Sequence, residues 1–299
     1  MKNTPSVHYT EDSGLALVTL ADSARGNRIN SETLNALHEC LDRAEKSDEA
    51  RFVILRSNGS IFCHGMDFGF FLRAAPPLAA ANKKGKGKTA ANPVPDSSQG
   101  AASMQPEEAV RAYSNLLTRM RAFPKLIVAL IDGEVKAGGV GIAAAADIVL
   151  ASARSSFQLS EVFLGLLPAN VLPFLIERVG ANRAAYLTLS AHTLTAAEAQ
   201  AYGLADEVIA EDALEKETRA FIRNLLRADP YALRRGKGFT QELRECGTRK
   251  EMTDRAAHTL LDLAGRADVR AAIGAFEEGG LPAWSAKLKL AENLWIGGD

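Results

Sequence analysis

Residues 131–152, "IDGEVKAGGVGIAAAADIVLAS", constrain the fold more than any other stretch of this chain. The apolar run "KLIVALIDG" at 125–133 predicts a β-strand, and "DIVLAS" at 147–152 predicts another. Between them stand a glycine cluster and a run of alanines, so the chain must leave a strand, turn on glycine and begin a helix. Such a turn is chemically versatile. Small residues permit close packing against a neighbouring helix or sheet, and a helix start presents unpaired N–H groups that favour negative charge. Periodicity alone leaves both readings open.

A second segment, "GSIFCHGMDFGF" at 59–70, repeats the arrangement after the β-branched run "RFVILRS" at 51–57. Two such turns facing one another would form an oxyanion hole. Neither carries the full G-x-G-x-x-G pattern of a dinucleotide site, which argues against nicotinamide binding.

"LALVTL" at 15–20 predicts a strand after a polar lead-in. The segment from Ser31 predicts a helix, with Ser31 as its N-cap and Leu34, Leu37 and Leu41 at helical spacing. Strands separated by helical or glycine-rich crossovers indicate an α/β chain. From about Thr195 the chain reads as nearly all helix, so the expected division is a core over 1–194 and a helical, oligomerising region over 195–299. Residues 74–105, rich in Ala, Gly, Pro, Ser and Lys, read as a flexible insertion in that core. Such an insertion is either tolerated or a docking lid, and its lysines Lys83, Lys84, Lys86 and Lys88 would either meet phosphate or an acidic partner or serve only to keep the segment soluble.

Composition narrows the class of function. The 299 residues carry 35 Lys or Arg against 36 Asp or Glu, a net charge of -1, which gives no reason to expect nucleic-acid binding. Three cysteines, Cys40, Cys63 and Cys246, lack metal-type spacing and fit a reducing compartment better than a disulfide scaffold. The first residues lack a signal-peptide core, and no apolar run approaches the about 20 residues of a membrane span. A soluble, cytoplasmic protein is expected, with no membrane partner.

Three motifs, "VILRSNGSIFCHGMDF", "ALIDGEVKAGGVGIAAAADIVLAS" and "SSFQLSEVFLGLLP", occur in an order that resembles the enoyl-CoA hydratase/isomerase, or crotonase, superfamily. The resemblance runs from about Val7 to Leu281, with 74–105 as an insertion. It implies an α/β fold, a crotonase-like spiral of ββα units with a helical C-terminal region, assembled as a homotrimer or hexamer. It also implies an acyl thioester substrate on CoA or on the phosphopantetheine arm of an acyl carrier protein, with no metal or redox cofactor. Carried over by position, the two enolate-stabilising N–H groups fall at Met66 and Gly138. Gly65, Asp67 and Gly139 would support those turns.

Crotonase-type hydratases use two glutamates. Here the first position is Gly141 and the second is Glu161, so one carboxylate is missing and Glu161 remains as the general acid or base. "FQLSEVFLGLLPANVLPFLIERVG" is most similar to a branch that works in polyketide β-branching. The resemblance therefore implies dehydration of a carrier-bound 3-hydroxy-3-methylglutaryl thioester to the 3-methylglutaconyl thioester. Decarboxylation, isomerisation or ordinary hydration of another thioester are alternatives, as is a non-catalytic scaffold. His64 reads as a proton shuttle or, more simply, a pocket-shaping hydrogen-bonding residue, and Cys63 as a packed small hydrophobe. Asn170 is a candidate for the substrate hydroxyl, and Arg28, Arg25 and Arg73 for its distal carboxylate.

Overall fold

The apolar strands are buried on both faces. In β2 (Leu15–Leu20), Ala16, Val18 and Leu20 enter one core while Leu15 and Leu17 enter a second on the opposite side of the sheet. β3 (Phe52–Ser57) and β5 (Leu126–Ile131) alternate in the same way: Val53, Leu55, Ile127, Ala129 and Ile131 face the larger core, whereas Phe52, Ile54, Val128 and Leu130 face the smaller. A period of two with both faces covered explains why these strands read as unbroken apolar runs. The computed structural model describes residues 5–67, 69, 106–285, 290 and 294–295; Arg73 and the 74–105 insertion fall outside them.

Six strands form the main sheet in the order β1 (Val7–Asp12), β2, β3, β5, β7 (Ile148–Ser152), β10 (Glu207–Ile209). β1 pairs antiparallel to β2, and the other neighbours are parallel. The polar lead-in is thus a strand rather than a loop. It lies at the sheet edge, with Val7 its one buried residue, so nothing selects for apolar residues there.

After β3, β5 and β7 (Ile148–Ser152) the chain turns sharply into a second, four-stranded sheet. That sheet holds β4 (Ile61–Cys63), β6 (Glu134–Lys136) and β8 (Ser156–Gln158) in parallel, with β9 (Leu194–Thr195) antiparallel at its edge. Long strand, short strand, then helix is the repeating unit of the spiral. Parallel pairing has a decisive consequence: the carboxyl ends of β4, β6 and β8 lie side by side. The turns that follow them, at 64–67, 137–139 and 159–161, therefore open on one edge.

The helix Ser31–Lys46 is capped by Asn30 rather than Ser31, because the Asn30 side chain accepts from the Thr33 N–H and Ser31 is already the first helical residue. β10 (Glu207–Ile209) joins the main sheet beyond β7. Leu214–Arg227 then covers the smaller core with Ile222 and Leu226. Asp229 caps the next helix, Pro230–Glu245, with Pro230 in its first turn, so this proline starts a helix as well as following one. Two more helices, Arg249–Gly265 and Ala267–Glu277, complete the helical C-terminal region. Among the described residues, no helix is long and apolar enough to cross a membrane.

Candidate active site

The first glycine turn is held by a neighbouring segment. Ile29 N–H donates to the Gly65 carbonyl at 2.8 Å, Asp67 N–H donates to the Ile29 carbonyl at 2.9 Å, and His64 N–H donates to the Gly26 carbonyl at 2.9 Å. This parallel bridge uses the residues on either side of Met66, which leaves the Met66 N–H outside the ladder. Gly138 opens the helix Gly138–Ala145, so its N–H has no place in the intrahelical ladder either.

The two turns interlock through their glycines. A Cβ on Gly65, whose φ is +80°, would stand 2.7 Å from the Gly138 nitrogen. A Cβ on Gly139 would stand 2.3 Å from the Cys63 carbonyl oxygen. Glycine is needed at both places because backbone touches backbone. Ala137, just before the helix, has φ 49° and ψ -123°, a conformation that costs roughly 1–3 kcal/mol in a residue with a Cβ. Its N–H donates to the Gln158 carbonyl of β8, and the Ala137 carbonyl accepts from the Val140 N–H.

A cavity of about 340 Å³ opens between these turns. It is lined by Met66, Gly138, Glu161, His64, Asn170 and Arg28, so the structure gathers into one space all six of these residues, from segments far apart in sequence. Gly65, Asp67 and Gly139 stand in the turns behind Met66 and Gly138. Arg25 lies outside the cavity lining, with a largely exposed side chain 3.8 Å from Asp22.

Glu161 begins a short 3-10 helix, Glu161–Leu164, rather than an α-helix. Its Oε2 is buried with no hydrogen-bond partner, and burial raises its pKa above the ordinary carboxylate value. Among the described residues lining the cavity, Glu161 is the one carboxylate. A buried carboxyl oxygen without a partner is costly, which makes Glu161 the candidate for chemistry in this cavity.

The His64 ring is engaged away from the cavity centre. Its Nε2 meets Glu134 Oε2 at 2.9 Å, and Lys136 Nζ lies 2.6 Å from the same oxygen. This geometry suits a wall residue. Cys63 is fully buried, its sulfur accepts from the Gly65 N–H at 3.4 Å, and burial pushes its thiol up to about 12. Asn170 donates its side-chain amide to the Val110 carbonyl at 3.1 Å, which orients its own oxygen. Among the described residues, no group of three or more His, Cys, Asp or Glu is placed to hold a metal ion.

Among the wall residues that escaped the sequence reading are Tyr113, Lys136, Ala137 and Ser160. Tyr113 had a signal. It is followed by Leu116, Leu117 and Met120 at helical spacing, all buried, on the helix Pro106–Ala122. That pattern predicts a core-facing aromatic but cannot say that the face meets a cavity.

The sequence model described as enoyl-CoA hydratase/isomerase matches residues 10–89 and 96–287. The chain is 30% identical over 194 residues to the bacillaene synthase dehydratase PksH of Bacillus subtilis, covering 65% of each protein. It is 26% identical to the trans-2-decenoyl-[acyl-carrier-protein] isomerase of Streptococcus mutans, over 93% of this chain and 97% of that one. Among solved structures, Pseudomonas aeruginosa AtuE superposes with a TM-score of 0.78 at 27% identity, covering 94% of this chain and all of the other.

Proposed function

The chain belongs to the enoyl-CoA hydratase/isomerase family, enzymes of the crotonase fold that carry out hydratase- and isomerase-type chemistry on acyl thioesters, and from that premise we propose a specific reaction. The enzyme dehydrates a 3-hydroxy-3-methylglutaryl thioester on an acyl carrier protein to the 3-methylglutaconyl thioester, in the β-branching of a polyketide. The observation that carries this reading is Glu161: a buried, unpartnered carboxyl oxygen in a cavity walled by Met66 and Gly138 and lacking a second carboxylate among its described residues. The similarity to a protein named as a synthase dehydratase supports it.

The proposed chemistry needs one carboxylate. Glu161 takes the proton from the α-carbon, and the thioester oxygen gathers the resulting negative charge between the Met66 and Gly138 N–H groups. The dipole of the helix beginning at Gly138 adds to that stabilisation. The enolate then expels the β-hydroxyl, which takes the same proton back from Glu161 and leaves as water. Glu161 ends as it began, and the two substrate atoms must lie within about 3 Å of its oxygens, directly or through one water. A raised pKa serves both halves of the cycle, since it makes the carboxylate a stronger base while keeping the acid able to protonate a leaving hydroxide.

Arg28 and Lys136, on the cavity wall, are the cations offered for the distal carboxylate, and they would steer an acidic carrier surface. Exposed Leu260, Leu261, Ile273 and Phe276 on the C-terminal helices support assembly into a trimer or hexamer.

A second reading is favoured by the same single carboxylate. Isomerisation of a carrier-bound enoyl thioester also needs one group that removes a proton at one carbon and returns it at another, and a relative covering nearly the whole chain is named as such an isomerase. Mass spectrometry of the carrier decides between them. Wild type incubated with the 3-hydroxy-3-methylglutaryl carrier should release one water, and Glu161→Gln should not. An unchanged carrier, with double-bond migration in an enoyl carrier, would overturn the dehydratase reading in favour of the isomerase.

A further inference from the structure

Tyr113 is a polar group of the cavity that the chemistry above leaves without a task. Its side chain is 2% exposed, and its hydroxyl donates to the Gly138 carbonyl. Gly138 and Gly139 form a pair of glycines, the residues least able to fix the direction of a donor through their own backbone. The restraint comes from neighbours: the Val140 N–H holds the Ala137 carbonyl of the peptide that carries the Gly138 N–H, Gly65 packs on the Gly138 nitrogen, and Tyr113 holds the Gly138 carbonyl of the next peptide.

The same phenol oxygen occupies a second place. It stands 2.3 Å from where a Cβ on Gly141 would lie, with Val171 Cγ2 at 3.0 Å and Leu117 Cδ1 at 3.1 Å. Position 141 is the one at which the sequence resemblance puts the first glutamate of a two-glutamate hydratase. While Tyr113 keeps this conformation, no side chain fits there.

We propose that Tyr113 is a positioning and specificity-determining residue: its hydroxyl holds the carbonyl of the Gly138–Gly139 peptide, which fixes the Gly138 backbone beside the peptide that carries the Gly138 N–H, and its bulk leaves no room for a carboxylate side chain at position 141. The pocket then favours proton transfer by Glu161 alone over attack by a water that a second carboxylate would hold. This inference rests on the thioester reading of the site. Burial, and then the neighbouring Cys63 and Glu161, push the Tyr113 phenol well above its ordinary pKa, so it remains a neutral donor and does not exchange protons with Glu161.

The test separates this inference from the choice of substrate. Acetoacetyl-CoA, whose enolate absorbs in the near ultraviolet, reports on the oxyanion site without turnover. Tyr113→Phe should lower the bound-enolate absorbance at saturation by about tenfold or more, lower kcat comparably on whichever thioester the wild type turns over, and leave KM within about threefold. Gly141→Ala should lower Tm in the wild type and lower it less in the Tyr113→Phe background, where the obstructing oxygen is gone. A wild-type enolate band and kcat in Tyr113→Phe, or equal Tm losses in the two backgrounds, would overturn the proposal, as would a wild type that forms no enolate. A clear wild-type band with no dehydration of the 3-hydroxy-3-methylglutaryl carrier would overturn the proposed substrate and leave the role of Tyr113 standing.

Discussion

Gly65 approaches Gly138 so closely that a side-chain carbon on the first would stand 2.7 Å from the backbone nitrogen of the second. Two turns separated by more than seventy residues of sequence thus share one wall of the cavity. Neither can shift without moving the other, so the proposed pair of N–H donors is set before substrate arrives.

Gly65→Ala meets both a φ of +80° and that backbone contact. It should lower kcat/KM by about 10²–10³, the effect of losing one oxyanion donor, and destabilise the fold by roughly 1–3 kcal/mol. Met66→Leu should stay within a few-fold of wild type, because the donor proposed here is its backbone N–H and not its side chain. Steady-state kinetics and thermal melts of the two variants check the pair. Equal losses in both would contradict the assignment.

Glu161→Gln should cost about 10²–10⁴ in kcat. Its stability should change in the other direction. Burial raises the folded-state pKa of Glu161, so the group adds stability below its unfolded pKa and loses it as pH rises through the folded value. Above that window the wild type holds a buried, unpartnered carboxylate, and the amide should melt at the same temperature or higher. A melting curve at neutral pH that falls well below wild type would argue for a structural glutamate.

The acid limb of kcat/KM should report the same group. If Glu161 removes the α-proton as a carboxylate, the rate rises with pH through a pKa displaced upward from the ordinary value of about 4.3. A pH–rate profile on the carrier-bound thioester measures it. A limb at or below the unperturbed value would remove Glu161 from the role of base.

Lys237 and Asp147 form an ion pair at 2.8 Å with side chains only 6% and 11% exposed. Lys237 Nζ also donates to the Met120 carbonyl, tying the helix Pro230–Glu245 to the core. Lys237→Met leaves the buried Asp147 charge uncompensated and should cost about 3–5 kcal/mol, read as a shift in the denaturant midpoint. A change within about 0.5 kcal/mol would mean that this ion pair does not hold the helix to the core.

Leu260 and Leu261 are 68% and 69% exposed on the helix Arg249–Gly265, which buries none of its own residues in this chain. Replacing both with Lys should shift the protein to a smaller species in sedimentation velocity while leaving the melt of the core unchanged. An unchanged sedimentation coefficient would move the assembly surface elsewhere.

Much of this protein was legible in its residues. Doubly buried strands announced themselves as apolar runs, and the "HGMD" and "KAGGVG" turns could be recognised because a close backbone approach demands glycine and tolerates little else. Glu161 and the missing carboxylate at Gly141 could be read by position, since a resemblance carries residue identities along the chain. The edge strand β1 could not, because only Val7 of its six residues is buried, too few to write an alternating pattern. Nor could Tyr113, whose helical spacing is that of any core aromatic. Its place at Gly138 and Gly141 depends on how the helix Pro106–Ala122 packs across a sheet built from distant segments. Local sequence determines which conformations a segment favours. Which polar atoms meet in one cavity is decided by parallel pairing of β4, β6 and β8, contacts between residues far apart in the chain that no local preference encodes.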